Sequence, residues 1–140
     1  MIALIVDRLK TEAPALPFVD MAEDLDAIFK GTAPGDGYTY VVPFREKGTA
    51  NKVATGGFMQ VVGFQFLVAF VLRRHDDAKG GLRALQFDAI KGDIQNALAG
   101  WEPTEHSIPI ELVGGEGTPI GNNITIYVQT WETTYLLTGA

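Results

Sequence analysis

No cysteine occurs anywhere in the chain, which removes disulfides, thiolate nucleophiles and cysteine-ligated metal sites at once. Histidine is almost as scarce. His75 and His106 stand alone, and neither has a second histidine three or four places on, the spacing that a helical metal site needs. His75-Asp76-Asp77 could be read as a metal cluster. Adjacent side chains at a strand end diverge, however, so a turn whose Asp76 or Asp77 caps the next helix is the better expectation.

Ser107 is the only serine, and "EHSIP" lacks the glycine-flanked elbow of a nucleophile; His106 beside it would face the other way. No Gly-Lys dipeptide exists, which excludes a phosphate-binding P-loop. "GGEGTPIG" imitates a dinucleotide loop, but Ile120 falls where the third glycine belongs. The segment also leads toward a strand, not a helix, so a hairpin turn is expected. The carboxylate groups Glu23-Asp24-Asp26 and Glu102/Glu105 read as solvated charge. No catalytic residue, metal site or cofactor is expected, and the chain does not read as an enzyme.

Long apolar runs are missing too. Val61–Leu72 is interrupted by Gln65 and is shorter than the roughly 20 residues of a membrane helix. The start, "MIALIVDRLKTEAP", has neither a basic leader nor a cleavage site, so a signal peptide is not expected. Positive charge is in deficit, with 11 Lys and Arg against 17 Asp and Glu and a net charge of −6. That balance disfavours tight nucleic-acid binding, which needs clustered cations.

What is present is an ordinary soluble composition, 46% hydrophobic and 20% charged, in 140 residues that suit one domain spanning 1–140. Ile2, Ile5 and Leu9 mark a short amphipathic helix ended by Pro14 and Pro17. Phe18-Val19 suggests a brief strand. Asp20 and Glu23 form a possible capping box for a helix over Met21 to Phe29. Tyr38–Phe44 reads as a strand whose Pro43 belongs at a sheet edge. Arg45–Gly57 has no apolar period and reads as a polar loop.

Phe58–Arg74 is the strongest strand signal, with Phe64, Phe66, Val68, Phe70 and Leu72 on one face. Its other face, with Leu67, Ala69 and Val71, is apolar enough to need a cover, either a helix or a neighbouring subunit. A helix of about five turns then runs to Gly100, with Leu82, Leu85, Ala89, Ile90, Ala97 and Leu98 as its expected buried stripe. Gly100 is its C-cap, Pro103 secures the stop, and Trp101 is expected to fold back on the core. Ile108–Val113 and Asn123–Leu137 are expected to pair as a hairpin. The resulting order, α-α-β-β-α-β-β, predicts an α+β domain: a mainly antiparallel sheet of four to five strands packed by two or three helices.

"YVVPFRE", the strand "VVGFQFLVAFVLRR", the helix end "ALAGWEP", "PIELVGGEG" and the final "NITIYVQTWETTYLL" follow one another in an order that resembles the tail terminator (tail completion) proteins of long-tailed bacteriophages and prophages. The resemblance covers nearly the whole chain, and Gly100-Trp101-Pro103 with the glycine pair after it is its sharpest part. It implies a small subunit that assembles as a ring, commonly a hexamer, on the end of a finished tail tube. There the ring stops tube polymerisation and offers the surface for head attachment. The implied partners are further copies of the chain, the tube protein and a head-completion or connector protein. The implied place is the head–tail junction of the virion, after assembly in the host cytoplasm. DNA would pass through the ring without being held.

Two candidate surfaces accompany this reading. Tyr127, Gln129, Trp131, Thr133 and Tyr135 share one side of the last strand, an aromatic and polar row suited to a subunit interface; packing beneath the chain's own helices is the alternative. Arg45, Lys47, Asn51 and Lys52 in the polar loop are candidate tube contacts, against a solvated loop without a partner. Another head–tail joining or minor tail protein is a rival reading, and a small-ligand-binding domain or enzyme is a second.

Overall fold

The computed structural model describes residues 1–31, 33–51, 53, 56–73, 81–121 and 124–139. Along the chain run α1 (Ile2–Glu12), β1 (Val19–Met21), a 3-10 turn (Asp26–Phe29), β2 (Thr39–Gly48), β3 (Phe58–Arg73), α2 (Gly81–Leu98), β4 (Glu111–Gly121) and β5 (Ile124–Gly139). The five strands form one sheet in the order β1-β2-β3-β5-β4. Only β1–β2 is parallel; the other pairs are antiparallel. The expected α+β class therefore holds, with five strands.

Period-2 alternation in β3 sorts its side chains between two cores. Phe64, Phe66, Val68, Phe70 and Leu72 join Ile5, Val6 and Leu9 of α1 and Ile90, Ile94, Ala97 and Leu98 of α2 under the helical face. Leu67, Ala69 and Val71 face the other way, into a smaller core with Val42, Ile126 and Ile28. β3 and β5 pair through sixteen consecutive positions and form the spine of the molecule.

α1 and α2 are tied where α2 ends. Arg8 Nε donates to the Ala97 carbonyl at 2.9 Å, and its guanidinium lies 5.1 Å from the centre of the Trp101 ring. Gly100 takes φ 80°, the left-handed cap that a side chain would resist. The Gly100 amide then donates to Ile110 O and the Ile110 amide to Trp101 O, both at 2.9 Å, which steers the chain into β4. Trp101 packs on the helical core as expected.

Five expectations change. The helix over Met21 to Phe29 does not form, because Val19–Met21 pairs with Thr39–Val41 instead. Asp20 Oδ1 consequently accepts from the Met21 amide, and the local cap is Asp24 Oδ1 to the Ala27 amide, both at 2.8 Å. Only a 3-10 turn remains, with Ile28 buried and Met21 49% exposed. Second, Arg45–Gly48 is strand, not loop: after a bulge between Pro43 and Arg45, β2 continues against Gln65–Val62.

Third, the stripe of α2 is rotated from the expected one. Leu85 is 69% exposed and Ala89 is exposed, while Phe87 packs inward ahead of Ile90, Ile94, Ala97 and Leu98. Nothing is described of the Leu82 side chain. Fourth, "GGEGTPIG" is not a turn but most of β4, held by pairing with β5 from Glu111↔Glu132 to Gly121↔Ile124. Fifth, the first strand of that hairpin begins at Glu111, not at Ile108.

Pro43 sits where the sequence suggested. Thr39 N–H donates outward to Phe18 O, and Val41 O accepts from the Ala22 amide, so alternate residues of β2 turn their backbone toward the edge. Pro43 is next in that series and lies beyond the last β1 partner, where a missing N–H costs no ladder bond.

Candidate subunit and tube interface

The features that imitated catalysis have structural explanations. Ser107 Oγ and Thr104 Oγ1 share a hydrogen bond of 2.6 Å in a turn, and His106 is exposed beside Glu105. Glu23, Asp24, Asp26, Glu102 and Glu105 are all exposed. Among the described residues no group of three metal-ligating side chains comes together. His75, Asp76 and Asp77, with their proposed helix cap, lie outside the described residues.

The row on β5 divides. Gln129, Trp131 and Thr133 are fully buried in the chain's own structure. Trp131 packs into the helical core, its Nε1–H donating to Gln129 Oε1 at 3.3 Å, and Thr133 Oγ1 donates to Ile108 O at 2.7 Å. Burial of these side chains within the subunit favours the packing alternative for Gln129 and Trp131. Tyr127 and Tyr135 are half-buried at the two ends of the row. Tyr127 sits between Phe70 and Phe87, at 5.4 and 4.5 Å between ring centres. Tyr135 donates its hydroxyl to Glu46 Oε1 at 2.9 Å, and that bond, then burial, then the nearby negative charge raise its pKa above 10.0.

The four candidate tube contacts divide as well. Arg45 and Lys47 project from β2, and Arg45 Nε is held by Gln65 Oε1 at 2.7 Å. Asn51 Oδ1 accepts from the Met59 amide at 2.9 Å and the Val53 amide at 3.2 Å, which ties the connection back onto the start of β3. Lys52 lies outside the described residues. At the same end of the sheet Phe58, Met59 and Leu137 are exposed.

Two features escaped the sequence reading. The first is the surface of the smaller core, which the 3-10 turn covers only in part. Beside it lies an open, mainly apolar groove of about 640 Å³ between Leu25 and Phe29 on one wall and Phe44, Val113, Ile126 and Val128 on the others. Val113 is 53% and Phe44 50% exposed. "ELV" ahead of a glycine run was a visible signal, had that run been read as strand.

The second is a pair of unlike sheet edges. β1 reaches no further along β2 than Met21↔Val41, so β2 has an open outer side beyond Val41; β4 is terminal at the opposite edge. β4 is exposed or half-exposed from Glu111 to Ile120. The model of the family described as phage tail terminator protein matches residues 1–139.

The chain belongs to the phage tail terminator family. As a member of it, the protein is a structural component of phage tails, and the family extends over both edges and the groove. The tail terminator fold is also similar to that of a chain in the "Virion of native gene transfer agent (GTA) particle". The TM-score is 0.59 at 18% identity, over 99% of this chain and 95% of that one, a likeness of fold. No curated protein matches the sequence.

Proposed function

We propose that this tail terminator assembles as a ring, a hexamer, on the end of the tail tube, ends tube polymerisation and presents the surface to which the filled head attaches. The observation that carries the reading is the family match from residue 1 to 139. The geometry supports it in two ways. A ring needs heterologous contacts between different patches of identical subunits, and this sheet has two open edges of different composition. The sheet end with Phe58, Met59 and Leu137 beside Asn51 offers an apolar, hydrogen-bonding rim for the tube. The head-completion or connector protein would meet the opposite side of the ring.

The net charge of −6 fits a ring through which DNA passes without being held. The test is to polymerise purified tube protein with and without this chain and measure tube lengths by electron microscopy. Expected are shorter tubes carrying a ring at one end. Unchanged lengths and bare ends at every dose would overturn the reading.

A further inference from the structure

The two sheet edges differ in charge as well as in position. On the open part of β2, Arg45 and Lys47 are exposed, and neither makes an ion pair within the chain among the described residues. Its only acid, Glu46, is engaged by Tyr135. β4 carries Glu111 and Glu116, both exposed and without an ion pair among the described residues, and no cation; from Ala99 to the last residue the sequence has no Lys or Arg. One edge is basic and the other acidic.

These charges also share a side of the sheet. Arg45 and Lys47 are in register with Gln65 and Gly63, and Glu111 and Glu116 with Glu132 and Val128. In β3 and β5 those positions alternate with the residues of the helical core, so all four charges stand on the face away from the helices. The directions agree too. β2, β3, β5 and β4 alternate in sense, so β4 of one copy runs antiparallel to β2 of an identically oriented neighbour.

We propose that successive copies join edge to edge, with the basic β2 edge of each docking on the acidic β4 edge of the next through Arg45 and Lys47 against Glu111 and Glu116. This rests on the ring reading above and assigns Arg45 and Lys47 to the neighbouring subunit, not to the tube. Exposed Phe44 and Val113 beside the charges supply apolar contact. β1 fills the edge up to Met21, so the neighbour lies beside Val42–Gly48, displaced along the strands.

Charged and proline-bearing edges ordinarily keep sheets apart. Here the signs sort the pairings. Basic against basic and acidic against acidic are repelled, which disfavours two-fold dimers, and basic against acidic remains, which is the head-to-tail contact of a ring.

The experiment uses the full chain and two reversed forms, Arg45→Glu/Lys47→Glu and Glu111→Lys/Glu116→Lys, followed by analytical ultracentrifugation over a concentration series. All four positions are exposed, and unchanged circular dichroism of each form checks the fold. Each reversed form should assemble at least on the order of tenfold more weakly than the parent. Reversing the two acids moves the net charge toward zero, so better assembly of that form than of the parent would mean that overall charge governs, and would overturn the proposal. An equimolar mixture of the two forms should regain the parent's assembly, because each then presents a complementary edge to the other. Reversed forms that assemble like the parent, or a mixture that stays dissociated, overturn the edge assignment and leave the ring intact. A parent that remains monomeric even with tube ends present overturns the ring reading and this one together.

Discussion

At the scale of single residues, β4 holds a sharp contrast. A Cβ on Gly115 would lie 2.9 Å from Tyr127 Cζ and closer still to its hydroxyl, whereas a Cβ on Gly114 would meet nothing within 4 Å. Tyr127 cannot easily yield, since Phe70 and Phe87 hold its ring. Gly115→Ala is expected to cost about 1–3 kcal/mol through overpacking, and Gly114→Ala close to nothing. Thermal denaturation of the pair checks it: equal melting temperatures would sink the packing argument.

Tyr135 gives a residue-scale prediction in pH. Its folded pKa is raised above 10.0, chiefly by the hydrogen bond to Glu46, so the folded state keeps its proton where the unfolded state has lost it. The stabilising contribution is therefore complete below pH 10 and disappears as pH rises through the folded value. Ultraviolet titration of tyrosinate should show two late-ionising groups, Tyr135 and Tyr40, the latter raised chiefly by burial, and Glu46→Gln should bring only the first back toward 10.0.

At the scale of elements, the smaller core depends on a short segment. Ile28 is the one buried residue of the 3-10 turn, and it packs with Val42, Leu67, Ala69 and Val71. Ile28→Ala should cost about 2–5 kcal/mol. It should also expose the Leu67–Val71 face while leaving α1 and α2 in place, so tryptophan fluorescence from Trp131 should hardly change in the folded state. A large change at Trp131 would mean that the two cores are not separate.

What the sequence showed of these elements followed from how each is stabilised. β3 stood out as a nearly continuous apolar run because both its faces are packed, and α1 is amphipathic because one side meets solvent. The segment Val19–Met21 carried a capping signal, but sheet pairing with β2 overrode it, and one sequence does not display a partner strand. β4 was hidden because Gly114, Gly115, Gly117 and Pro119 leave no side-chain alternation; register with β5 alone makes it a strand. The candidate site was half legible for the same reason. The basic residues of β2 stood out by charge, but Glu111 and Glu116 become an edge only once the glycine run is strand. The row on β5 was found with both readings open, since a sheet face under helices and one under a neighbour have the same composition.

At the scale of the molecule, the sheet order sets a gradient of stability. β3 and β5 are flanked on both sides and covered by α1 and α2, so their amides can open only when most of the subunit opens. β4 has one neighbour and lies exposed along its length, and its bulges at Leu112/Gly114 and Pro119/Gly121 interrupt the ladder. In the free subunit, hydrogen exchange should be slowest at Phe66–Val71 and Tyr127–Trp131, with Gly114–Thr118 faster by orders of magnitude. Assembly should alter this order at the edges alone. Protection should rise at Gly114–Thr118 and at Arg45–Gly48 together, because each copy contributes one of those edges to each junction, while the central strands stay as they were. If the central strands gain protection and both edges remain fast, the ring is joined through the helices or the groove, and the edges serve some other contact.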